Sequence, residues 1–533
     1  MPFFHLGLNT YKVPTDFHAN NRAKILNKIS QQSERTNSKN SKAIILLKGG
    51  TNPERNDTDH EPIFRQESYF HYLFGVKEPD FWGAIDVESG RTTLFAPRLP
   101  PEYATVMGKI LTTDEIAAMY YVEECRYVDE LEDYLMQKKE EEQQQQLTLY
   151  LMEGRNSDSG NLYQAPSLAL LLPDQQQNNS VVDVTLHLTM DKSTLFPLLA
   201  ECRVIKTAQE LQLLRHVAEL SSEAHVEVMR HTKPGMTEWQ LEATFRHYTY
   251  YHYGCRNVGY TPICACGPSS AVLHYGHAGA PNARTLVEGD MCLLDMGTEY
   301  HCYGSDITCS FPASGRFNAT QRIVYEGVLQ AQAAVLHMLK PGVDWVECHC
   351  AAERAVLRAM MLLGAVVSTT SNNNMKLDEM IQNRLGAVFM PHGLGHFIGI
   401  DTHDVGGYLA EAGHPPRSPL PGLNKLRTAR IMEQGMVVTV EPGCYFIDHL
   451  LDAALEDDVL KQYLVPDVVN SKLLRESGGV RLEDVVVVTK DGCDNFTRCP
   501  RTVKEVEHVM AGGKWPPVSD EAPELKRSRL TAV

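Results

Sequence analysis

The chain has 533 residues, a formal net charge of −17 at neutral pH, 43% hydrophobic and 22% charged residues. This length exceeds one ordinary core, so we expect two or more domains. The acidic balance excludes a basic nucleic-acid-binding surface. The sequence has no apolar run near the ~20 residues of a membrane helix and opens with no secretion-signal pattern. The 13 cysteines are scattered without C-x-x-C spacing, which together with the missing signal indicates reduced thiols in a cytoplasmic protein. From the charge and the lack of an apolar run, we expect neither nucleic-acid nor membrane partners.

Residues 1–197 predict an α/β domain, because short apolar runs alternate with helical stretches. The expected elements are strands at 43–47 (AIILL) and 147–152 (LTLYLM), a hairpin at 83–95 with its turn at 88–90, and helices near 114–120 and 129–139. Glutamine and asparagine tracts at 143–146, 175–179 and 372–374 are expected to be surface loop insertions.

A second domain is predicted over residues 198–511. Capping boxes, in which a Ser, Thr or Asn precedes Glu or Gln by three residues, predict where three of its helices begin. The pairs are Thr207 with Glu210, Thr237 with Gln240, and Asn318 with Gln321. Residues 512–533, with the basic cluster Lys526, Arg527 and Arg529, are expected to form a disordered, solvated tail.

Two motif pairs recur in the same order within this domain. KPGMTEW at 233–239 is similar to KPGVDW at 340–345, and GDMCLLDMG at 289–297 is similar to GMVVTVEPG at 435–443. Asp295 and Glu441 occupy the same position in the second pair. We interpret this as a diverged internal duplication, in which each half supplies one carboxylate to a site between the halves.

Five residues in strand-like apolar or glycine-rich surroundings carry the chemistry. Isolated charges in such surroundings cost several kcal/mol to bury, so a shared cation is the better explanation. Four carboxylates and one imidazole are the ligands of a paired, oxygen-preferring divalent metal site, which favours manganese over zinc by ligand type. The five are Asp295, Asp306, His396, Glu441 and Glu483.

Asp295 and Asp306 are expected on facing strands. A hairpin centred between Tyr300 and His301 would place them directly opposite, where two carboxylates repel unless a cation or proton lies between them. Glu483 lies two residues after Arg481, so an ion pair between these two is the alternative to metal binding. Asp484 is expected to point the other way. His392 is more simply explained as a structural histidine.

Longer sequence blocks also support a metal-dependent active site. They include FRQESYFHYLFGVKEPDFWGAIDV at 64–87, SAVLHYGHAGAPN at 270–282, FMPHGLGHFIGIDTHDVGGY at 389–408, LRTAR at 426–430, VEPGCYFID at 440–448 and GGVRLED at 478–484. With the Asp295 and Asp306 segments, these blocks closely resemble the prolidase (Xaa-Pro dipeptidase) group of the pita-bread metallopeptidases over nearly the whole chain.

The resemblance implies an α/β N-terminal domain, an α+β pita-bread catalytic domain with internal pseudo-twofold duplication, a homodimer and two manganese ions per subunit. It implies that Asp306 and Glu483 bridge the metals, that Asp295 completes one site, and that His396 and Glu441 complete the other. Glu441 is also implied as a proton shuttle.

Substrate residues are implied by the same resemblance. His403 would support the scissile carbonyl, and Arg427 with His274 would hold the carboxylate of an Xaa-Pro dipeptide. Tyr260 matches a pocket position, although an isolated tyrosine is more often a packing residue. Val106 stands where related animal enzymes carry a tryptophan, so the resemblance does not predict how this loop closes over the substrate.

Two other functions stay open on the sequence. An aminopeptidase P would share the five ligands and cleave longer peptides with proline second. A non-catalytic binding protein of the same fold would have lost ligands, whereas all five remain here.

Overall fold

The computed structural model describes residues 3–36, 42–141, 147–167, 188–367 and 373–531. The tracts at 143–146 and 175–179 lie outside the described residues, whereas Asn373 of the third tract begins a helix. The chain divides into two compact units, of residues 1–5 with 12–203 and of residues 6–11 with 204–533. The boundary predicted from the sequence was 197/198. Among the described residues, no helix is long and apolar enough to cross a membrane.

The first unit is built around a six-stranded mixed sheet. Its strand order is β10-β7-β3-β4-β5-β6, with parallel pairing of β10 with β7, β7 with β3, and β5 with β6. The strands are β1 (Phe3–Phe4), β2 (Val13–Pro14), β3 (Ala43–Lys48), β4 (Trp82–Asp86), β5 (Thr92–Ala96), β6 (Glu124–Tyr127), β7 (Thr148–Tyr150), β8 (Gly154–Arg155), β9 (Leu162–Tyr163) and β10 (Thr189–Asp191). The helices are α1 (Asp16–Thr36), α2 (Ser68–Phe74), α3 (Tyr103–Met107), α4 (Thr113–Tyr120), α5 (Leu131–Glu141) and α6 (Leu195–Val204), whose last turn contains the unit boundary.

The predicted elements of this unit are confirmed. The runs AIILL and LTLYLM form β3 and β7, and the predicted hairpin is β4–β5. Apolar side chains on one sheet face, including Ile44, Leu46 and Leu149, are buried with Trp82 in one core. The short, continuous apolar character of these runs explains why they form buried strands.

The second unit contains two three-stranded antiparallel sheets, β11-β12-β15 and β16-β19-β20, with helix pairs α7–α8 and α9–α10 each in mutual contact. Its strands are β11 (Ile263–Cys266), β12 (Met291–Asp295), β13 (Glu299–Tyr300), β14 (Tyr303–Gly304), β15 (Thr308–Pro312), β16 (Val437–Val440), β17 (Gly443–Tyr445), β18 (Gly479–Arg481), β19 (Asp484–Val488) and β20 (Cys493–Asn495). Its helices are α7 (Ala208–His231), α8 (Glu238–Tyr253), α9 (Ala319–Met338), α10 (Trp345–Leu363), α11 (Asn373–Gln382), α12 (Gly386–Phe389), α13 (Asp448–Glu456), α14 (Pro466–Val469), α15 (Lys472–Arg475) and α16 (Val503–Met510). All three predicted capping boxes are present.

The internal duplication is visible in the turns before α8 and α10. Gly235 N–H donates to Leu286 O at 2.8 Å, and Gly342 N–H donates to Met432 O at 2.9 Å. The two glycines have φ values of +90° and +89°, a left-handed conformation that disfavours other residues. Each turn is therefore tied to the segment that leads towards the carboxylate-bearing strand of its own half.

The hairpin that carries Asp295 has a different register from the one predicted. Asp295 lies opposite Thr308, not opposite Asp306. The turn residues are His301 and Cys302, with φ values of +49° and +61°, which suit a tight two-residue hairpin turn. The turn is thus centred one residue later than predicted, which shifts the pairing by two residues. Asp306 becomes a diagonal neighbour of Asp295 on the same face.

The C-terminal residues 512–531 are ordered, so the predicted disorder was wrong. Arg527 is 4% exposed, and its Nη2 donates to Glu505 at 2.9 Å and to Asp520 at 2.6 Å. Leu525 and Leu530 are buried. A guanidinium shared by two carboxylates, flanked by buried leucines, anchors what the sequence presents as a solvated basic cluster.

Asp484 points away from Glu483, as predicted, and forms a buried ion pair with Arg501. Arg501 Nη2 lies 2.6 Å from Asp484 Oδ1, and the two side chains are 1% and 0% exposed. Arg501 also donates to Thr308 O at 2.8 Å and to Glu483 O at 2.6 Å. Arg501 and Asp484 therefore connect β15 with β19, and two of the five predicted ligands, Asp306 and Glu483, lie just before these strands.

We predict that Asp484→Asn lowers the free energy of unfolding of this unit by about 3–5 kcal/mol, because it leaves Arg501 buried without a counter-charge. Denaturant-induced unfolding would measure the change. Lys504→Ala is the control, since Lys504 pairs with Glu521 at a site where both side chains are more than half exposed, and it should change stability by less than about 0.5 kcal/mol. Equal effects of the two substitutions on stability would contradict the role of Asp484 as the buried counter-charge of Arg501.

Candidate active site

The five predicted ligand residues line one cavity of about 750 Å³ in the second unit. Asp295 ends β12, Asp306 precedes β15, Glu441 lies between β16 and β17, and Glu483 lies between β18 and β19. His396 lies in the loop between α12 and β16. Each of the four carboxylates therefore lies at the end of a strand or between two strands. The regular strand pairing stops there, so the side chain can point into the cavity.

Asp306, His396 and Glu483 form the centre of this cluster. One ligand atom of each lies within 4.8 Å of the others, and all three residues are buried. His396 Nε2 lies 3.3 Å from Asp306 Oδ2 and 3.5 Å from Glu441 Oε1. Its Nδ1 lies 3.0 Å from Phe397 O, a contact that assigns the proton to Nδ1 and leaves Nε2 to face the carboxylates.

Asp295 is held by two donors at the edge of the cluster. Arg481 Nη2 donates to Asp295 Oδ2 at 2.6 Å, and Tyr260 OH donates to Asp295 Oδ1 at 2.5 Å. Arg481 also donates to Tyr445 OH at 2.9 Å. The arginine that could have paired with Glu483 therefore pairs with Asp295, and Tyr260 contacts a predicted ligand rather than serving as packing alone.

Two threonine hydroxyls orient the two glutamates in matching ways. Thr308 Oγ1 donates to Glu483 Oε2 at 2.7 Å, and Thr439 Oγ1 donates to Glu441 Oε1 at 3.2 Å. Thr439 Oγ1 also accepts the His396 N–H at 3.1 Å. Neither threonine was predicted from the sequence. Each lies two residues from a predicted ligand, Asp306 or Glu441, and strand periodicity could have indicated them.

The pKa values show that the carboxylates repel one another. Burial and the charge of Asp306 raise the pKa of Asp295 to about 7. Burial also raises the pKa of Glu441 and, much further, that of Glu483. Burial opposes ionisation of Asp306 as well, but its hydrogen bond to His396 and the charge of that ring lower its pKa to about 2. Full ionisation of this cluster therefore requires a cation.

The residues fit a divalent metal centre. The buried Asp306 Oδ1 has no hydrogen-bond partner among the described residues, although buried polar atoms are normally paired. His396 Nε2 faces the carboxylates of Asp306 and Glu441, while its Nδ1 lies against Phe397 O. Oxygen ligands with one imidazole suit a hard divalent cation.

The three predicted substrate residues line the same cavity, namely His274, His403 and Arg427. The ring of His403 lies edge-on to that of His396, with centroids 4.6 Å apart. Removal of the His403 ring from water, with the charges of His396 and Arg427, lowers the His403 pKa to about 3, so this imidazole is neutral at neutral pH. Desolvation and the charges of Arg481 and Arg427 also lower the His274 pKa.

His392 also lines the cavity and has partners on both ring nitrogens. Its Nε2 lies 3.0 Å from Tyr445 OH, and its Nδ1 lies 2.7 Å from Gly393 O. Burial lowers the pKa of His392 to about 3. These contacts agree with the structural role that the sequence suggested.

Comparison with known proteins agrees with the site. Residues 212–490 match the model of metallopeptidase family M24, and residues 18–150 match the aminopeptidase P N-terminal domain. The Xaa-Pro dipeptidase of Homo sapiens is 46% identical over 511 residues, or 96% of each chain. The "Probable Xaa-Pro aminopeptidase pepP" of Talaromyces marneffei is 31% identical, over 95% of this chain and 99% of its own.

Solved structures show the same architecture. Pseudomonas aeruginosa aminopeptidase PepP matches with a TM-score of 0.70 at 28% identity, covering 94% of this chain and 98% of its own. The predicted fold class, an α/β domain followed by a pita-bread domain, is confirmed. The resemblance read from the sequence motifs is also confirmed: the chain belongs to metallopeptidase family M24 and carries the N-terminal domain of the aminopeptidase P type.

Proposed function

We propose that this protein hydrolyses Xaa-Pro dipeptides to a free amino acid and proline on a dinuclear manganese centre. The observation that carries the proposal is that Arg427 and the five metal-ligand candidates line one cavity. A guanidinium binds a carboxylate bidentately, so a substrate held by its C-terminal carboxylate would present the preceding bond to the metal centre. The near full-length similarity to the human Xaa-Pro dipeptidase supports the same substrate class.

The number of ligands supports two metal ions. In the proposed arrangement, Asp306 and Glu483 would contribute to both sites, Asp295 to one site only, and His396 with Glu441 to the other. The proximity of Glu441 to His396, at 3.5 Å, supports that pairing. Oxygen-rich ligation favours manganese. A structural relative described as zinc-substituted Escherichia coli aminopeptidase P in complex with product, at 25% identity and TM-score 0.71, is consistent with a divalent metal.

The cations would lower the pKa of a bound water and polarise the scissile carbonyl. The protein residues then have separate roles. Arg427, assisted by His274, holds the substrate carboxylate and fixes the register of the dipeptide. His403, as a neutral imidazole, donates a hydrogen bond to the carbonyl oxygen as negative charge develops there. Glu441, whose side chain is 16% exposed, would transfer the proton released by the attacking water to the leaving proline nitrogen.

A cytoplasmic location and a homodimer are part of the proposal. All 13 cysteines are free thiols in the structure, which suits a reducing compartment. The homodimer rests on the resemblance to the prolidase group.

Aminopeptidase P activity is the second candidate, and the N-terminal domain match favours it. The two functions differ in the group that they accept on the C-terminal side of proline. A dipeptidase needs a free carboxylate there, whereas an aminopeptidase P accepts a further peptide bond. Arg427 favours the dipeptidase.

Substitution of Arg427 separates these functions. We predict that Arg427→Ala lowers kcat/KM for Gly-Pro about 100-fold, because a charge-assisted bidentate contact contributes roughly 3 kcal/mol. Hydrolysis of Gly-Pro and Gly-Pro-Gly should be compared with added manganese. Arg316→Ala is the control, since Arg316 is an exposed arginine that pairs with Glu507 and does not line the cavity. Preferential cleavage of the tripeptide, unaffected by Arg427→Ala, would establish an aminopeptidase P instead.

Metal content provides a second test. Inductively coupled plasma analysis of protein loaded with manganese should give two ions per chain. We predict about one ion after Glu441→Ala, because that variant keeps Asp295, Asp306 and Glu483. One ion in the wild type would contradict the dinuclear centre, and no bound metal together with no turnover would support a binding protein.

The pH dependence of stability should differ between the loaded and metal-free protein. Protonated carboxylates stabilise the metal-free fold at low pH, and this contribution is lost as the pH rises through about 7, the raised pKa of Asp295. Bound cations need the ionised forms, so binding strengthens over the same range. We predict that the melting-temperature difference between manganese-loaded and chelator-treated protein widens by about 3 °C or more between pH 5.5 and pH 8. A constant difference would contradict carboxylate ligation.

A further inference from the structure

A buried ion pair lies beside the metal-ligand cluster and has no part in the proposed mechanism. Lys206 Nζ lies 2.9 Å from Asp404 Oδ2, and each side chain is 1% exposed. The two residues are 198 positions apart in the chain. Asp404 directly follows His403, so the pair is attached to the loop that supplies the proposed carbonyl contact.

The lysine approaches the loop from a fixed position. Lys206 N–H donates to Gly435 O at 2.9 Å, and Ile205 forms an isolated antiparallel bridge with Met436. The segment before α7 is thereby anchored beside β16. Gly399 leaves the space that the pair occupies, because a Cβ there would lie 2.3 Å from Asp404 Oδ2 and 3.1 Å from Lys206 Nζ.

The aspartate connects this anchor to a predicted metal ligand. Asp404 N–H donates to Phe397 O at 2.9 Å, and the same carbonyl oxygen lies 3.0 Å from His396 Nδ1. One carbonyl therefore closes the loop that contains His403 and also orients the imidazole of His396. A displacement of Asp404 would move both histidines.

A contribution to folding stability does not by itself explain why the fold contains this buried ion pair. Two charges taken out of water lose much of their solvation, and well-packed neutral residues often serve a fold equally well. Directional contacts to a charged pair do restrict a loop to one conformation, and an active site needs that restriction within fractions of an ångström.

We infer that Lys206 and Asp404 are positioning residues that hold His403 against the substrate carbonyl and hold His396 Nε2 towards its metal. This inference rests on the proposed function for the role of His403. Its metal-binding part can be tested without turnover.

The test replaces both charges together, so that neither is left buried without its partner. The variant is Lys206→Met with Asp404→Asn, where asparagine retains an oxygen for the Val405 N–H that Asp404 Oδ1 accepts at 3.1 Å. A matched control neutralises another buried pair, Arg384 with Glu353, as Arg384→Met with Glu353→Gln. Each protein is assayed on Gly-Pro with saturating manganese, and manganese affinity is measured by chelator competition.

We expect the Lys206/Asp404 variant to lose about 10-fold in kcat with KM changed less than twofold, and about 10-fold in manganese affinity. The control should keep both values within twofold. In a His403→Ala background, neutralising the pair should lower kcat less than twofold further, because its effect on turnover passes through His403. A purely structural pair would give the same loss in both backgrounds.

Unchanged kcat and manganese affinity in the Lys206/Asp404 variant would overturn the inference, as would an equal kcat loss with and without His403. If the wild type does not hydrolyse Gly-Pro, the proposed function fails by itself. Manganese affinity then decides the positioning of His396, and an unchanged affinity refutes it. Thermal unfolding of each manganese-loaded variant separates a folded protein from a misfolded one.

Discussion

Repulsion among buried carboxylates is the constraint on which the rest of this structure depends. Asp295, Asp306, Glu441 and Glu483 converge on one cavity with a single imidazole, and burial raises the pKa of three of them. The fold holds three of them with hydrogen-bond donors from neighbouring side chains. These donors are Arg481 and Tyr260 for Asp295, Thr308 for Glu483, and Thr439 for Glu441. The protein thus maintains an excess of negative charge that is suited to a cation.

The internal duplication explains how such a cluster can be assembled from distant segments. Each half brings one carboxylate to the end or interruption of an antiparallel ladder, Asp295 in the first half and Glu441 in the second. The halves are then joined through backbone contacts, since Glu483 N–H donates to Thr308 O at 3.1 Å. The buried pair of Arg501 and Asp484 lies behind this junction. Stability and ligand geometry are therefore provided by the same contacts.

Local sequence patterns predicted the parts of the fold that depend on local physics. Capping boxes, apolar runs and paired motifs indicated the helices, the strands of the first unit and the duplication. The register of the Asp295 hairpin was mispredicted because His301 and Cys302 adopt left-handed conformations that their side chains do not favour. The C-terminal segment was mispredicted because its order depends on Arg527 meeting Glu505 and Asp520, a tertiary contact that leaves no periodic signal.

The residues of the site also differ in whether the local sequence could predict them. Asp306 and Glu483 were predicted as ligands because a charge among apolar strand residues is conspicuous in the sequence. Lys206 was not, since its partner lies 198 residues away and neither residue belongs to a motif with chemistry of its own.

On the proposed function, substrate length is set by the guanidinium of Arg427 rather than by the metal centre. The five ligands would serve any peptide whose scissile carbonyl reaches them. Arg427 and His274 line the same cavity as those ligands, so on this proposal the carboxylate of a dipeptide would bind the guanidinium. A further residue after proline would replace that carboxylate with a neutral amide, which a guanidinium binds more weakly. Discrimination between a dipeptide and a longer peptide then comes from the loss of a charge-assisted contact. This loss lowers the rate for the longer peptide more than the shape of a pocket could.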